Sequence, residues 1–412
     1  MLPSNCFILS QDEVNLELNS KLFGYAITKD AIIFGSKGWN DYQSKNPDFT
    51  APEEGRFCGI FVKGKMAEIK TDSTGQDILY VFQKGTSWII SNSFLLLAER
   101  ASRKHSLSIH RPSVLGFHLK EGVHIGEQLI SHKTMIDEIS ILPITSVIQL
   151  NLETKQIQIE TKGFFEKFSF RPGETYEERV MEVLERGSGC LKALIDSKMG
   201  LNLHLSGGYD SRLVLGMLTS SGEISNTRVT SHTIKPDDYK VAKSLCNRFS
   251  LPLNTTGVKK RATLTPSESI RMYLLSCGGT YLPIYPVSSH IIQDEIEFKL
   301  TGDQPTGWSH FVGNARFNGD AAKIADDIEK YLEERDPENS VREEFLSTFD
   351  LLEVPSDHPA AMIAHYASIR SRHHCGRNWY KSLGNTFVFT PLMQSSFIMM
   401  DLHNLSNGHH PT

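Results

Sequence analysis

The chain has 412 residues, enough for two or three domains with separate cores. With 39% hydrophobic and 22% charged residues and a formal net charge of -5, nothing in the bulk electrostatics draws it to nucleic acid or an anionic membrane. No apolar run approaches the roughly 20 residues that cross a bilayer, the first residues lack a secretory pattern, and six scattered cysteines with no C-x-x-C pair argue against a disulfide frame or zinc site. The expectation is therefore a cytoplasmic protein without nucleic-acid or membrane partners.

In chain order, residues 1–168 read as β-rich. Gly59 to Val62, Ile78 to Phe82 and Ser87 to Ile90 are short strand-like runs between turn-forming clusters. A short helix is expected over Ser93 to Arg103. Ser146 to Leu152 alternates as a strand, with Gln156 to Glu160 as its hairpin partner. A boundary falls at Arg171-Pro172-Gly173, so residues 169–412 form a second region.

Thr175 and Glu178 fit a capping box for the next helix. Val180, Val183, Leu184, Leu191, Leu194 and Ile195 follow at helical spacing, with Gly187 and Gly189 as expected breaks. Beyond them the pattern alternates. Strands are expected over Leu201 to Leu205 and Arg228 to His232, and helices over Ser211 to Thr219 and Asp237 to Phe249. This order predicts a parallel sheet flanked by helices. Past about residue 265 the chain reads mostly helical, with Ile296 to Thr301 as one more strand.

The segment richest in chemistry is Leu203-His204-Leu205-Ser206-Gly207-Gly208-Tyr209-Asp210-Ser211-Arg212. An apolar strand runs into two glycines, then Asp-Ser, then an apolar helix. A helix N-terminus presents unpaired N–H groups and partial positive charge, which suit phosphate. The glycines let backbone approach the oxygens and adopt angles closed to other residues. Ser206 and Ser211 can donate hydroxyl bonds. Asp210 would repel phosphate, so its expected task is to hold a bridging magnesium ion. The plainer alternative is a turn followed by a helix cap.

Ser206-Gly207-Gly208-Tyr209-Asp210-Ser211 resembles the pyrophosphate-binding loop of the ATP-pyrophosphatase group, which includes asparagine, GMP and argininosuccinate synthetases. Pro236-Asp237-Asp238-Tyr239-Lys240-Val241-Ala242 is similar to the acidic pair of the asparagine synthetase-like branch. Gly55-Arg56-Phe57, Asp72-Ser73-Thr74-Gly75 and Trp88 to Ser93 are similar to its N-terminal domain. The resemblance implies an α/β protein. Residues 1–168 would be a β-rich αββα domain of the Ntn-amidotransferase type, and residues 169–412 a parallel-sheet PP-loop domain (adenine nucleotide alpha hydrolase-like) with a helical tail. It implies ATP and Mg2+ as cofactors, with Leu205, Ser206, Gly207, Gly208, Asp210, Ser211, Thr233 and Gly302 around the nucleotide and Asp210 and Asp303 on the metal. The implied reaction is adenylation of a small-molecule or peptide carboxylate, then capture by an amine donor to give an amide; a homodimer is also among the expectations.

Three departures from that family matter. Its glutamine-hydrolysing members start from a cysteine with a free α-amine, whereas here residue 2 is Leu2 and the first cysteine is Cys6. Glutaminase activity is therefore expected to be lost. Its later acidic loop is matched by Thr301-Gly302-Asp303-Gln304-Pro305-Thr306, with Thr306 in place of the second acid; Asp303 is then the group expected to orient or deprotonate the amine, or to sit as a plain turn residue. No late lysine matches, although Thr390-Pro391-Leu392 is similar to a family stretch. The run Arg370-Ser371-Arg372-His373-His374-Cys375-Gly376-Arg377 is the densest basic segment after the loop, and Arg372 is its candidate cation for the triphosphate; a solvated helix face is the alternative. Gly278-Gly279-Thr280-Tyr281-Leu282-Pro283 reads as a pocket wall or a tight turn, and Phe57, Trp88 and Trp308 as core. An ammonia-using asparagine synthetase and a scaffold that binds ATP without catalysis both stay open.

Overall fold

The computed structural model describes residues 6–28, 31–119, 125–126, 128–222, 224–225, 227–255, 261–276, 278–281, 289–291, 297–306, 321–376 and 386–408. The protein is α/β, with two large antiparallel sheets followed by a four-stranded parallel sheet and a two-stranded antiparallel one. The N-terminal part contains β1 (Ile8–Ser10), β2 (Lys21–Ile27), β3 (Ile32–Phe34), α1 (Gly35–Lys45), β4 (Glu54–Lys63), β5 (Met66–Thr71), β6 (Tyr80–Lys84) and β7 (Ser87–Ser91). It continues with α2 (Phe94–Ala101), α3 (Arg111–Gly116), β8 (Ile139–Ile141), β9 (Ser146–Asn151), β10 (Ile157–Thr161) and α4 (Phe164–Lys167).

One sheet has the order β1-β7-β6-β8 and the other β10-β9-β5-β4-β2-β3. Their facing surfaces share a core of Leu9, Ile60, Ile69, Val81, Trp88, Ile90 and Ile148. Outside the first sheet, Tyr80, Phe82 and Ile139 pack on Leu97 and Ala101 of α2. Outside the second, Leu22, Phe57 and Phe61 pack on Trp39 of α1. The layers thus run helix, sheet, sheet, helix. Period-two burial, such as the strict alternation in β9, is what one core-facing and one outward-facing side per strand requires.

The C-terminal part opens with α5 (Tyr176–Asp196). Its capping box forms as the sequence predicts: Glu178 N–H donates to Thr175 Oγ1 at 3.2 Å and Thr175 N–H to Glu178 Oε2 at 2.8 Å. The expected break at Gly187 and Gly189 does not occur. Gly187 is buried, and a Cβ there would stand 3.0 Å from Met217 Sδ, so this glycine serves helix packing. Then come β11 (Gly200–His204), α6 (Tyr209–Ser221), β12 (Arg228–Thr230), α7 (Pro236–Phe249), β13 (Arg261–Thr263), α8 (Pro266–Ser276), β14 (Ser289–Ile291), β15 (Glu297–Leu300) and β16 (Thr386–Phe389). The expected strand start at Ile296 lies outside the described residues, and β16 was not foreseen.

The third sheet has the order β12-β11-β15-β16, all parallel. Leu203 pairs with Val229 and Leu300, and Leu300 with Phe389. This face meets α5, α6 and the β2–β3 edge, where Tyr25 and Phe34 pack against Phe298, Phe387 and Phe389. The other face is polar, carrying Arg228, Asn202 and Lys299 in one row and Thr230 with His204 in the next. Parallel strands are usually apolar on both sides. Last, helices over Ala321–Leu332, Ser340–Leu352, Ala361–His365 and Ser395–Ser406 form a core that takes in Leu119, Ile130, Phe164 and Phe168 from the N-terminal part. No described helix is long and apolar enough to cross a membrane.

Candidate nucleotide site

The sheet order places β12 to one side of β11 and β15 to the other. Chains leaving the carboxyl ends of β11 and β15 therefore part company, which opens a crevice there; open α/β sheets characteristically bind ligands at such a switch point. A cleft of about 410 Å³ occupies it, lined by Ser206, Gly208, Asp210, Ser211, Thr230, His232, Lys299, Thr301, Gly302 and Asp303 among others.

The loop after β11 is held by its own serines. Ser206 N–H donates to Ser211 Oγ at 3.1 Å, the two hydroxyls lie 3.0 Å apart, and Gly208 N–H donates to Ser206 Oγ at 3.2 Å. Gly207 N–H donates to Asp238 Oδ1 at 2.9 Å. A Cβ on Gly207 would come 2.9 Å from that same oxygen, so the glycine admits the α7 carboxylate. Neither loop glycine has a positive φ, which corrects the expectation of special backbone angles; Gly207 serves close approach. Helix α6 then starts at Tyr209 with Gly208 as N-cap and no side-chain cap, leaving its first turn directed at the cleft mouth. Tyr209 is 83% exposed, with the Arg212 guanidinium 4.5 Å over its ring.

The loop after β15 meets this one. A Cβ on Gly302 would stand 2.7 Å from Ser211 N and 2.9 Å from Asp210 Cβ; only a residue without a side chain lets the two loops touch. Gln304 Nε2 donates to Asp210 Oδ1 at 3.5 Å. Asp303 Oδ2 accepts from Thr301 Oγ1 at 2.9 Å, and Thr301 Oγ1 lies 3.3 Å from Thr390 Oγ1. Lys299 lines the floor, its ammonium held below the usual lysine range by burial, with the Asp303 charge acting the other way. Among the described residues no group of three or more metal-ligating side chains exists. Asp210 and Asp303 alone nevertheless suit magnesium, which commonly takes one or two protein carboxylates and completes its shell with phosphate and water.

The cleft thus gathers Leu205, Ser206, Gly208, Asp210, Ser211, Gly302 and Asp303 from the sequence-derived set, and Gly207 stands behind it on Asp238. Two expectations do not fit. Thr233 lies past the end of β12 in an exposed turn, and Thr230 and His232 line the cleft instead, because β12 ends at Thr230. Arg372 is fully buried. Its Nε donates to Gly75 O at 3.0 Å and its Nη1 to Ser368 O at 3.4 Å, and burial pushes its pKa down to about 10. It ties the C-terminal helices to the Asp72–Gly75 turn and has no surface for a triphosphate. Arg370 does likewise, donating to Gln128 Oε1 at 2.9 Å. The solvated-face alternative fails too; Arg377 lies outside the described residues.

Of the expected pocket wall, Thr280 and Tyr281 are buried and Leu129 N–H donates to Thr280 O at 3.0 Å; Leu282 and Pro283, like Trp308, lie outside the described residues. Phe57 and Trp88 are core. Thr306 is buried and its hydroxyl bonds to Asp401, whose carboxyl burial raises to about 6. In the N-terminal layers, Cys6 is buried, and burial with the nearby Asp77 charge lifts its thiol to about 12, so the thiolate is scarce at neutral pH. Sequence reasoning overlooked Lys299 and His204. Their signal was present in the alternation of Leu-Asn-Leu-His-Leu and Glu-Phe-Lys-Leu-Thr: a polar residue at every second position of strands whose connections demand a parallel sheet.

No family model matches the chain, and no curated protein matches its sequence. Among solved structures, the glutamine phosphoribosylpyrophosphate amidotransferase of B. subtilis in complex with ADP and GMP aligns over 65% of this chain, at 8% identity and a TM-score of 0.15. The glutamine-dependent NAD+ synthetase of Acinetobacter baumannii in complex with ADP aligned over 53%, at 11% identity and a TM-score of 0.17. An allosteric regulatory enzyme of purine biosynthesis aligned over 67%, at 9% identity and a TM-score of 0.15. The chain spans about half the length of each, 45%, 52% and 47% respectively. Alignments at these scores establish no shared fold; the architecture above rests on the strands and their pairing.

Proposed function

We propose that the cleft binds ATP with Mg2+ and that the protein is an AMP-forming ligase, which adenylates a carboxylate and passes the acyl group to an amine or ammonia to form an amide. The observation that carries this reading is the meeting of an uncapped helix N-terminus, two serine hydroxyls and two carboxylates at the switch point of a parallel sheet. The α6 N-terminus and Ser206 would grip the pyrophosphate as it leaves. Asp210 and Asp303 would hold the magnesium ion, which when bound supplies charge neutralisation between the phosphates. A carboxylate oxygen would attack the α-phosphorus as the bond to the β-phosphate oxygen breaks. The amine nitrogen would then attack the acyl carbon, AMP would leave, and Asp303 would take the proton the nitrogen loses.

The test is ATP–pyrophosphate exchange across a panel of carboxylic acids, at fixed magnesium. Exchange that appears only with a particular acid, and that Asp210→Ala abolishes, supports the ligase. ATP binding with no exchange for any acid would favour a second reading, a nucleotide-binding protein without chemistry. Two observations speak for that alternative: the amides of Ser206, Gly207 and Gly208 are already taken by Ser211, Asp238 and Ser206, and Thr306 is engaged with Asp401. Absence of ATP binding would sink both.

A further inference from the structure

The charge in the cleft is unbalanced for the ligand assigned to it. Asp210 and Asp303 face inward, and among the described lining residues Lys299 is the one lysine or arginine. A triphosphate brings several negative charges, and one magnesium ion offsets only the two carboxylates that hold it. The site needs a further cation, and Lys299 is where the fold puts one.

Its position is unusual for a structural residue. Lys299 sits inside β15, paired in register with Asn202 on one side and Val388 on the other. Its neighbours along the strand, Phe298 and Leu300, are fully buried on the opposite face. Interior parallel strands seldom carry lysine, and a half-buried ammonium is costly unless an anion meets it. No described carboxylate forms a salt bridge with it; Asp303, four residues on, acts only at longer range. The side chain shares the polar face with His204 and Thr230 and lines the same cleft as the Ser206–Ser211 loop.

We propose that the Lys299 ammonium contacts the phosphate chain of the nucleotide from the floor of the cleft, opposite the α6 N-terminus. This rests on the ATP reading of the cleft and adds to it the group that discriminates polyphosphate from nucleoside. A lysine suits the task because an ammonium on a flexible stem follows the phosphate as a point charge. The alternative is a stem packed along the sheet with its ammonium merely reaching solvent through the cleft mouth.

Isothermal titration with magnesium-ATP, adenosine and sodium tripolyphosphate separates these. For Lys299→Met the expected result is a loss of about 10- to 100-fold in affinity for ATP and tripolyphosphate, the size of a charge-assisted contact. Adenosine binding should be unchanged, and Lys299→Arg should recover part of the ATP affinity. If Lys299→Met does not fold, as judged by its thermal transition, Lys299→Gln is held to the same criterion. Wild-type ATP binding that these neutral variants leave intact overturns the Lys299 proposal while sparing the ATP reading. Wild-type binding of tripolyphosphate but not ATP, lost in the neutral variants, supports Lys299 and removes the nucleotide. Binding of neither removes both.

Discussion

Two polar segments stand out in the C-terminal part, and the fold treats them oppositely. Ser206 to Ser211 emerges from the end of a parallel strand, and its polar atoms line an open cleft. Arg370 to Gly376 is richer in charge, yet its described residues are almost wholly enclosed, with Arg372 and His373 at zero exposure. The difference lies in what each segment meets. The first ends a strand at the switch point, where no element can pack over it without closing the crevice. The second belongs to a helix lodged between the Asp72–Gly75 turn and the helical core, where the N-terminal carbonyls of Gly75 and Ile130 meet Arg372 and His365 of that helix. Density of charge in a sequence therefore says little about which surface carries ligands; the strand order says more.

The strongest way to break this contrast is to remove Arg372. Its guanidinium satisfies Gly75 O in a space where a Cβ on Gly75 would lie 2.5 Å from Nε. Arg372→Ala should leave a void and an unpaired buried carbonyl, at about 3 kcal/mol or more of stability. Urea unfolding measures that cost. ATP affinity of the folded fraction should not change. A stable variant with tenfold weaker ATP binding would return Arg372 to the nucleotide and erase the distinction. Somewhat smaller is the effect expected for Gly302→Val in the open segment. Its side chain cannot coexist with the Ser211 amide 2.7 Å from the Cβ position, so the two loops must separate. Exchange activity should fall by about 100-fold, as misplacement by an ångström does, with Asp210 and Asp303 both still present. Full exchange in this variant would mean that contact between the loops is dispensable.

Much of the architecture was legible where one local rule dominates. The Thr175–Glu178 box, the β9–β10 hairpin and the order of strands and helices from Leu201 to Phe249 follow from capping, alternation and handed crossovers. The place of the loop was legible because an apolar strand runs into it and an apolar helix follows. What escaped depended on contacts distant in sequence. Strand β16 pairs with β15 across nearly ninety positions and carries too few residues for its own pattern. Gly187 looked like a break because its partner, Met217, lies on another helix. Arg372 looked exposed because the Gly75 carbonyl that claims it is 297 residues away.

A subtler test bears on the enclosed segment as a titratable unit. His365 lies beside His132 and His373, all fully enclosed and all held below the ordinary histidine range by burial; Arg372 adds to the effect on the latter two. His365 Nε2 stands 3.0 Å from Ile130 O, and its pKa falls to about 4. The folded state thus keeps His365 neutral, while the unfolded chain protonates it near the ordinary value of about 6.5. Its contribution to stability is complete above about pH 6.5 and is lost progressively as pH falls toward 4. Between pH 7 and pH 5 this amounts to about 2 kcal/mol. Asp77 has the reverse sign: burial raises its carboxyl to about 7, so acid favours its folded form across the same interval. The wild-type slope mixes these terms with those of His132 and His373, and the comparison must be made by difference. His365→Gln retains a donor for Ile130 O but cannot titrate, so urea midpoints at pH 7, 6 and 5 should drop less steeply than in wild type. Parallel slopes would show that the imidazole is reached by water or stays charged in the fold, and the enclosed segment would then be as open to solvent as the cleft it is contrasted with.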